Sequence, residues 1–133
     1  MVQPLLLSRP FALQVVVAIV LPAVFGLITG VVLVHSEGAY LVLSILGVLG
    51  GLAAGFDHLG AGEGALRGIC GGALFGSFIL LGGALAGGPA KAKLPDPEWV
   101  LVVVTVVLGM LFGAIGGALR ARREGRTRSA ATA

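Results

Sequence analysis

The chain is poor in charge and nearly without cysteine, and each shortage closes off a class of protein. Charged residues make up 11% of its 133 residues, against about 25% in a typical soluble domain. A soluble fold of this size exposes most of its surface and must cover it with polar groups. Too few are present, so lipid is the expected solvent. The single cysteine, Cys70, cannot form an intrachain disulfide. Asparagine is absent and Arg outnumbers Lys seven to two, a bias that fits a GC-rich bacterial genome. The formal charge of +3 is local, since five of the nine basic residues fall within 120–128. That reads as a basic tail, and no nucleic-acid partner is expected.

A second absence lies inside the hydrophobic runs. No Asp, Glu, Lys, Arg or His falls at the middle of any of them. Proton relays and ion-coupled carriers usually depend on such a group. The polar side chains there are Thr29, Ser44, Cys70, Ser77 and Thr105. No nucleophile–base pair and no recognised metal spacing occurs, so neither an enzyme nor a cofactor or metal site is expected. Cys70 reads as a small apolar filler, because burial raises a thiol's pKa and quiets it.

Hydrophobic residues supply 57% of the sequence and gather into four runs. Residues 11–34 carry no charge over 24 positions, about 36 Å as a helix. A signal-peptide core is usually about 7–15 residues, so a retained span is expected, kinked by Pro22. The second run is 39–56, after a break at His35, Ser36 and Glu37 too short to permit anything but an antiparallel neighbour. The third is 64–88, with Arg67 one turn inside its start. The fourth is 99–119, where Asp96 is expected to cap and Pro97 to fill the first helical position. The expected fold is all-α, an integral membrane four-helix bundle. Residues 1–10 form a short N-terminal segment and 120–133 a tail with too little apolar surface to order itself.

With four spans both ends share a side. That side collects Arg9, Arg67, Arg120, Arg122, Arg123, Arg126 and Arg128, against Lys91 and Lys93 opposite. The positive-inside rule then places both termini in the cytoplasm, in the cell membrane. Tyr40 and Trp99 fall together at the other interface, where amphipathic rings prefer to sit.

What the chain has in excess is glycine, 23 residues, regularly spaced. The third run holds Gly64, Gly68, Gly72 and Gly76. The second holds Gly47, Gly51 and Gly55, the fourth Gly109, Gly113 and Gly117, and the first Gly26 and Gly30. On a helix, the third run's glycines share an arc of about 140°. Lipid supplies no hydrophobic drive between helices, so close backbone approach is what holds them together. These stripes are the candidate packing residues, within one chain or between copies. The texture resembles glycine-zipper membrane proteins in composition alone. Leu46 to Gly51 resembles Leu108 to Gly113, and Ala23 to Gly26 resembles Ala73 to Gly76, which would make two parallel-repeat hairpins.

Two polar features remain. In the 57–63 break, Glu63 and Arg67 stand i,i+4 and are expected to pair on a solvated first turn; His35 and Glu37 read as another turn. The arginines Arg120, Arg122, Arg123, Arg126 and Arg128 suit a stop-transfer anchor or anionic lipid. The function these features favour is a structural or interaction protein that self-associates or docks on another membrane protein. The alternative is a small oligomeric channel or transporter with an uncharged pore.

Overall fold

The structure, a computed structural model, describes residues 6–133. Of the N-terminal segment expected at 1–10, positions 1–5 lie outside the described residues. Among the described residues, four helices are long and apolar enough to cross a membrane: α1, Phe11–Leu33; α2, Glu37–Phe56; α3, Ala61–Ala86; and α4, Val100–Thr132. The chain is all-helical, with the composition of a multi-pass membrane protein. Its outward surface agrees, since Leu66, Leu85 and Phe11 stand 67%, 71% and 79% exposed, and water-soluble monomers rarely present so broad an apolar surface.

Local chemistry sets most helix ends. Ser36 Oγ accepts the Ala39 N–H at 3.3 Å and Glu37 lies in the first turn of α2, satisfying one orphan donor and favouring the helix dipole. α3 runs between Gly60 and Gly87, both at positive φ, which ordinary side chains resist. α4 begins three residues later than Pro97 suggests. The Pro97, Glu98 and Trp99 carbonyls accept from Val100, Leu101 and Val102, so Asp96 and Pro97 lie in the lead-in turn and not on the helix.

α1 is continuous but changes register. Residues Val16–Val20 form a π-helical turn between Phe11–Val15 and Leu21–Leu33. Pro22 follows directly and has no N–H to give. The widened turn is how the helix passes the proline, in place of a simple kink.

α3 is the central helix, packed against α1 on one side and along most of its length against α4 on another, with α2 leaning mainly on α4. The hairpin α3–α4 is tight, while α1 and α2 barely close. The two hairpins are therefore not geometrically equivalent, despite their resemblance in sequence. The difference follows from glycine placement. A Cβ on Gly72 would lie 2.8 Å from the Thr105 carbonyl carbon and one on Gly68 3.0 Å from the Met110 nitrogen. A Cβ on Gly51 of α2 would meet only Gly109 of α4, at 4.0 Å, and one on Gly50 would meet nothing within 4 Å, so neither glycine touches α1.

One end of the bundle carries the connections 34–36 and 87–99, and the other carries the termini and the 57–60 turn. At the first end the Lys91 N–H donates to the Leu33 carbonyl at 2.9 Å, and Ala92 joins Leu33, Tyr40, Phe75, Ile79 and Leu101 in the core. The loop is thus folded onto the helix ends. Tyr40, expected at an interface, is 8% exposed inside this cluster, while Trp99 is 61% exposed. At the other end α4 does not stop at Leu119. The segment expected to be disordered continues as helix to Thr132. Its Arg, Ala and Glu residues favour helix, and a helix already nucleated extends at little cost. Arg120 Nε also donates to Glu124 Oε1 at 2.7 Å, one turn on.

Candidate functional site

Because α1 and α2 splay, a cavity of about 520 Å³ opens among all four helices, within the usual range for a small-molecule site. It occupies the half of the bundle nearer the termini. Its floor, at mid-depth, is the stacked pair Phe25 and Phe75, ring centroids 5.7 Å apart. The Phe75 ring also lies over Gly47, where a Cβ would come within 2.6 Å of it. Beyond that floor stands the Leu33, Tyr40 and Ile79 cluster, so the cavity does not run through. Leu21, Leu46, Gly50 and Ala53 line it and are themselves exposed. The cavity therefore opens sideways, between α1 and α2.

The walls are almost wholly apolar, and the charge is confined to the mouth. Arg67, two turns into α3, and Asp57 both line it. Arg9 Nη2 reaches Asp57 Oδ1 at 3.4 Å. Arg67 does not pair with Glu63 as its spacing suggests. Its Nη2 donates instead to the Val17 carbonyl at 2.9 Å. The π-turn explains this. The Leu21 N–H already reaches back five residues to Val16. The next donor in that register is residue 22, which is proline, so Val17's carbonyl has no partner of its own helix. In lipid such an orphan costs several kcal/mol, and Arg67 answers it from α3. Glu63 faces His58 instead, Oε2 to Nδ1 at 4.0 Å.

Two buried nitrogens in this region have no hydrogen-bond partner, Arg67 Nε and His58 Nε2. Ser44 Oγ, nearer mid-depth, has none either. Thr105, on the cavity wall, donates its Oγ1 hydroxyl to the Val102 carbonyl, and the buried Thr29 donates its own to the Phe25 carbonyl, so both hydroxyl protons are already committed. Cys70 is exposed on the outer face of α3, and is not the buried filler its sequence suggests. The described residues hold no group of three His, Cys, Asp or Glu side chains that could share a metal ion.

The glycines named above fall into three sets. Gly64, Gly68, Gly72 and Gly76 meet α4 backbone or side chains, and Gly109 and Gly113 face α3 in return, with Gly117 against Gly60. Gly26 and Gly30 meet α3 at Phe75 and Ile79, and Gly55 meets Gly113. Gly47 and Gly51 belong to the cavity wall. All therefore point within the chain.

The five tail arginines do not act alike. Arg120 is 4% exposed, held by Glu124 and with its guanidinium 5.6 Å from the Phe56 ring, so it is a bundle residue. Arg122, Arg123, Arg126 and Arg128 lie on the extension of α4 past the bundle. Missed in the sequence were the orphaned carbonyl that Pro22 leaves at Val17 and the phenylalanine floor. A proline inside one span, with an arginine inside another, was the available signal. No family model, curated protein or solved structure matches the chain.

Proposed function

We propose that this chain is a multi-pass protein of the cell membrane, with both termini cytoplasmic, that binds an apolar guest in its cavity and catalyses nothing. The single observation that carries this reading is a cavity of about 520 Å³ shared by all four helices and opening sideways between α1 and α2. A sideways mouth admits molecules dissolved in the bilayer. The glycine stripes are proposed as the glycine-zipper packing that makes the rest of the bundle rigid enough to keep such a space open. A channel is disfavoured by the phenylalanine floor and the folded-over loop, which leave no polar route to the far end.

The experiment uses a reporter at the floor. Phe25→Trp in a Trp99→Phe background should be quenched by lipids brominated along the acyl chain, and Gly50→Leu should relieve the quenching by filling the mouth. An indole at position 25 that is not quenched would overturn the reading. A second reading, an interaction protein that docks a membrane partner or another copy, is favoured by the exposed basic end of α4. The stripes no longer argue for it, since they face inward.

A further inference from the structure

We propose that the guest is an anionic phospholipid of the leaflet nearest the termini, one acyl chain lying in the cavity and its phosphate at Arg67; this rests on the cavity reading above. Depth supports it first. Arg67 and Phe75 are eight residues apart on α3, about 12 Å along a helix, against about 15 Å for half a hydrocarbon core. A chain entering with its head at Arg67 therefore lies at the depth it already has in the bilayer. Entry supports it second. The exposed side chains at the opening, Leu21, Leu46 and Ala53, are hydrocarbon, and Gly50 leaves the slot between them open.

Charge decides the head. Asp57 is paired at 3.4 Å with Arg9, which is outside the cavity lining, so the Asp57 carboxylate is already answered and Arg67 is the cation left facing the cavity. Arg67 commits Nη2 to the Val17 carbonyl, while its Nη1 lies beside Gly71 on the cavity wall. A charged donor in a site poor in water gains most from a charged acceptor, and a phosphate oxygen at Nη1 supplies both the acceptor and the negative charge. Holding Nη2 on Val17 also fixes the guanidinium, so the proline-induced orphan positions the binding group. A zwitterionic lipid offers the same chain and phosphate, but brings its own ammonium to a mouth that is already positive.

The test is lipid retention. The protein is reconstituted in bilayers of equimolar phosphatidylglycerol and phosphatidylcholine, taken into mild detergent and weighed by native mass spectrometry. One phosphatidylglycerol per chain should survive, preferred about tenfold, the order expected when a choline ammonium must sit near the Arg67 guanidinium in a partly solvated site. Arg67→Gln should erase the preference, Arg67→Lys should restore it in part, and Gly50→Leu, whose Cβ meets nothing within 4 Å, should release the lipid. Equal retention of both lipids, with both released by Gly50→Leu, overturns the anionic head while the cavity stands. Retention of neither lipid, or retention untouched by Gly50→Leu, overturns the cavity as well. A retained free fatty acid in place of phospholipid, or a preference that follows Arg122, Arg123 and Arg126 and not Arg67, also overturns the proposal. Should Arg67→Gln fail to fold, the two lipids' ratio in the wild type and in Gly50→Leu still decides.

Discussion

Gly72→Ala should destabilise this protein, although alanine is the better helix former. The added Cβ would sit 2.8 Å from the Thr105 carbonyl carbon and 2.9 Å from the Val106 Cα. Both are backbone, so no rotamer can give way, and α3 and α4 must move apart. A separation of about 0.5–1 Å forfeits a quarter to a half of each dispersion contact along the crossing. Overpacking of this kind costs typically about 1–3 kcal/mol. Alanine returns up to about 1 kcal/mol of helix propensity, so the net loss should be about 0–2 kcal/mol. Gly50→Ala is the internal control. Its Cβ meets nothing within 4 Å, so it keeps the propensity gain without the clash, and the two variants should differ by the clash alone, about 1–3 kcal/mol. Reversible unfolding in mixed micelles measures both. A Gly72→Ala protein as stable as Gly50→Ala would refute the close-crossing argument.

Pro22→Ala should restore an N–H for the Val17 carbonyl. Arg67→Gln should then cost about 1 kcal/mol less in that background than in the wild type, a coupling that a double-mutant cycle reads directly. Arg120→Gln should lower stability by about 1–3 kcal/mol through its lost Glu124 bond and Phe56 contact, whereas Arg126→Gln should leave stability unchanged in the same unfolding assay. Replacing Arg122, Arg123 and Arg126 together should weaken adsorption to anionic liposomes, at about 1 kcal/mol per residue; no dependence on lipid charge in a flotation assay would count against that role. Reporter fusions at Ala133 and within 57–60 should read cytoplasmic and one at Lys91 outside, and the reverse pattern would overturn the orientation.

The spans were legible because hydrophobic runs and polar breaks are local signals. Residues 11–34, 39–56 and 64–88 come close to the observed α1, α2 and α3. The end of α4 was not, because the tail's polarity speaks to burial and not to whether a helix already begun can continue through Arg120 and Glu124. The glycine spacing was visible, but which helix each stripe meets is a tertiary fact. The same stripe geometry could have served a second copy. The cavity was illegible for a related reason: it comes from a contact that fails to form. Nothing local in Gly50 or Gly51 says that α1 stays away from them. Arg67 was misread because Glu63 is its neighbour in sequence, while Val17, its partner, is 50 residues away and becomes an acceptor only through Pro22.

A cavity that opens sideways into the bilayer should be reached by what dissolves in hydrocarbon. A spin label at Ala53→Cys, in a Cys70→Ala background, tests it most directly by power saturation. Oxygen, which partitions into hydrocarbon, should relax the label far more than a water-soluble nickel chelate does, and Gly50→Leu should reduce the oxygen effect. A label relaxed mainly by the nickel chelate would mean an aqueous vestibule and would contradict the account.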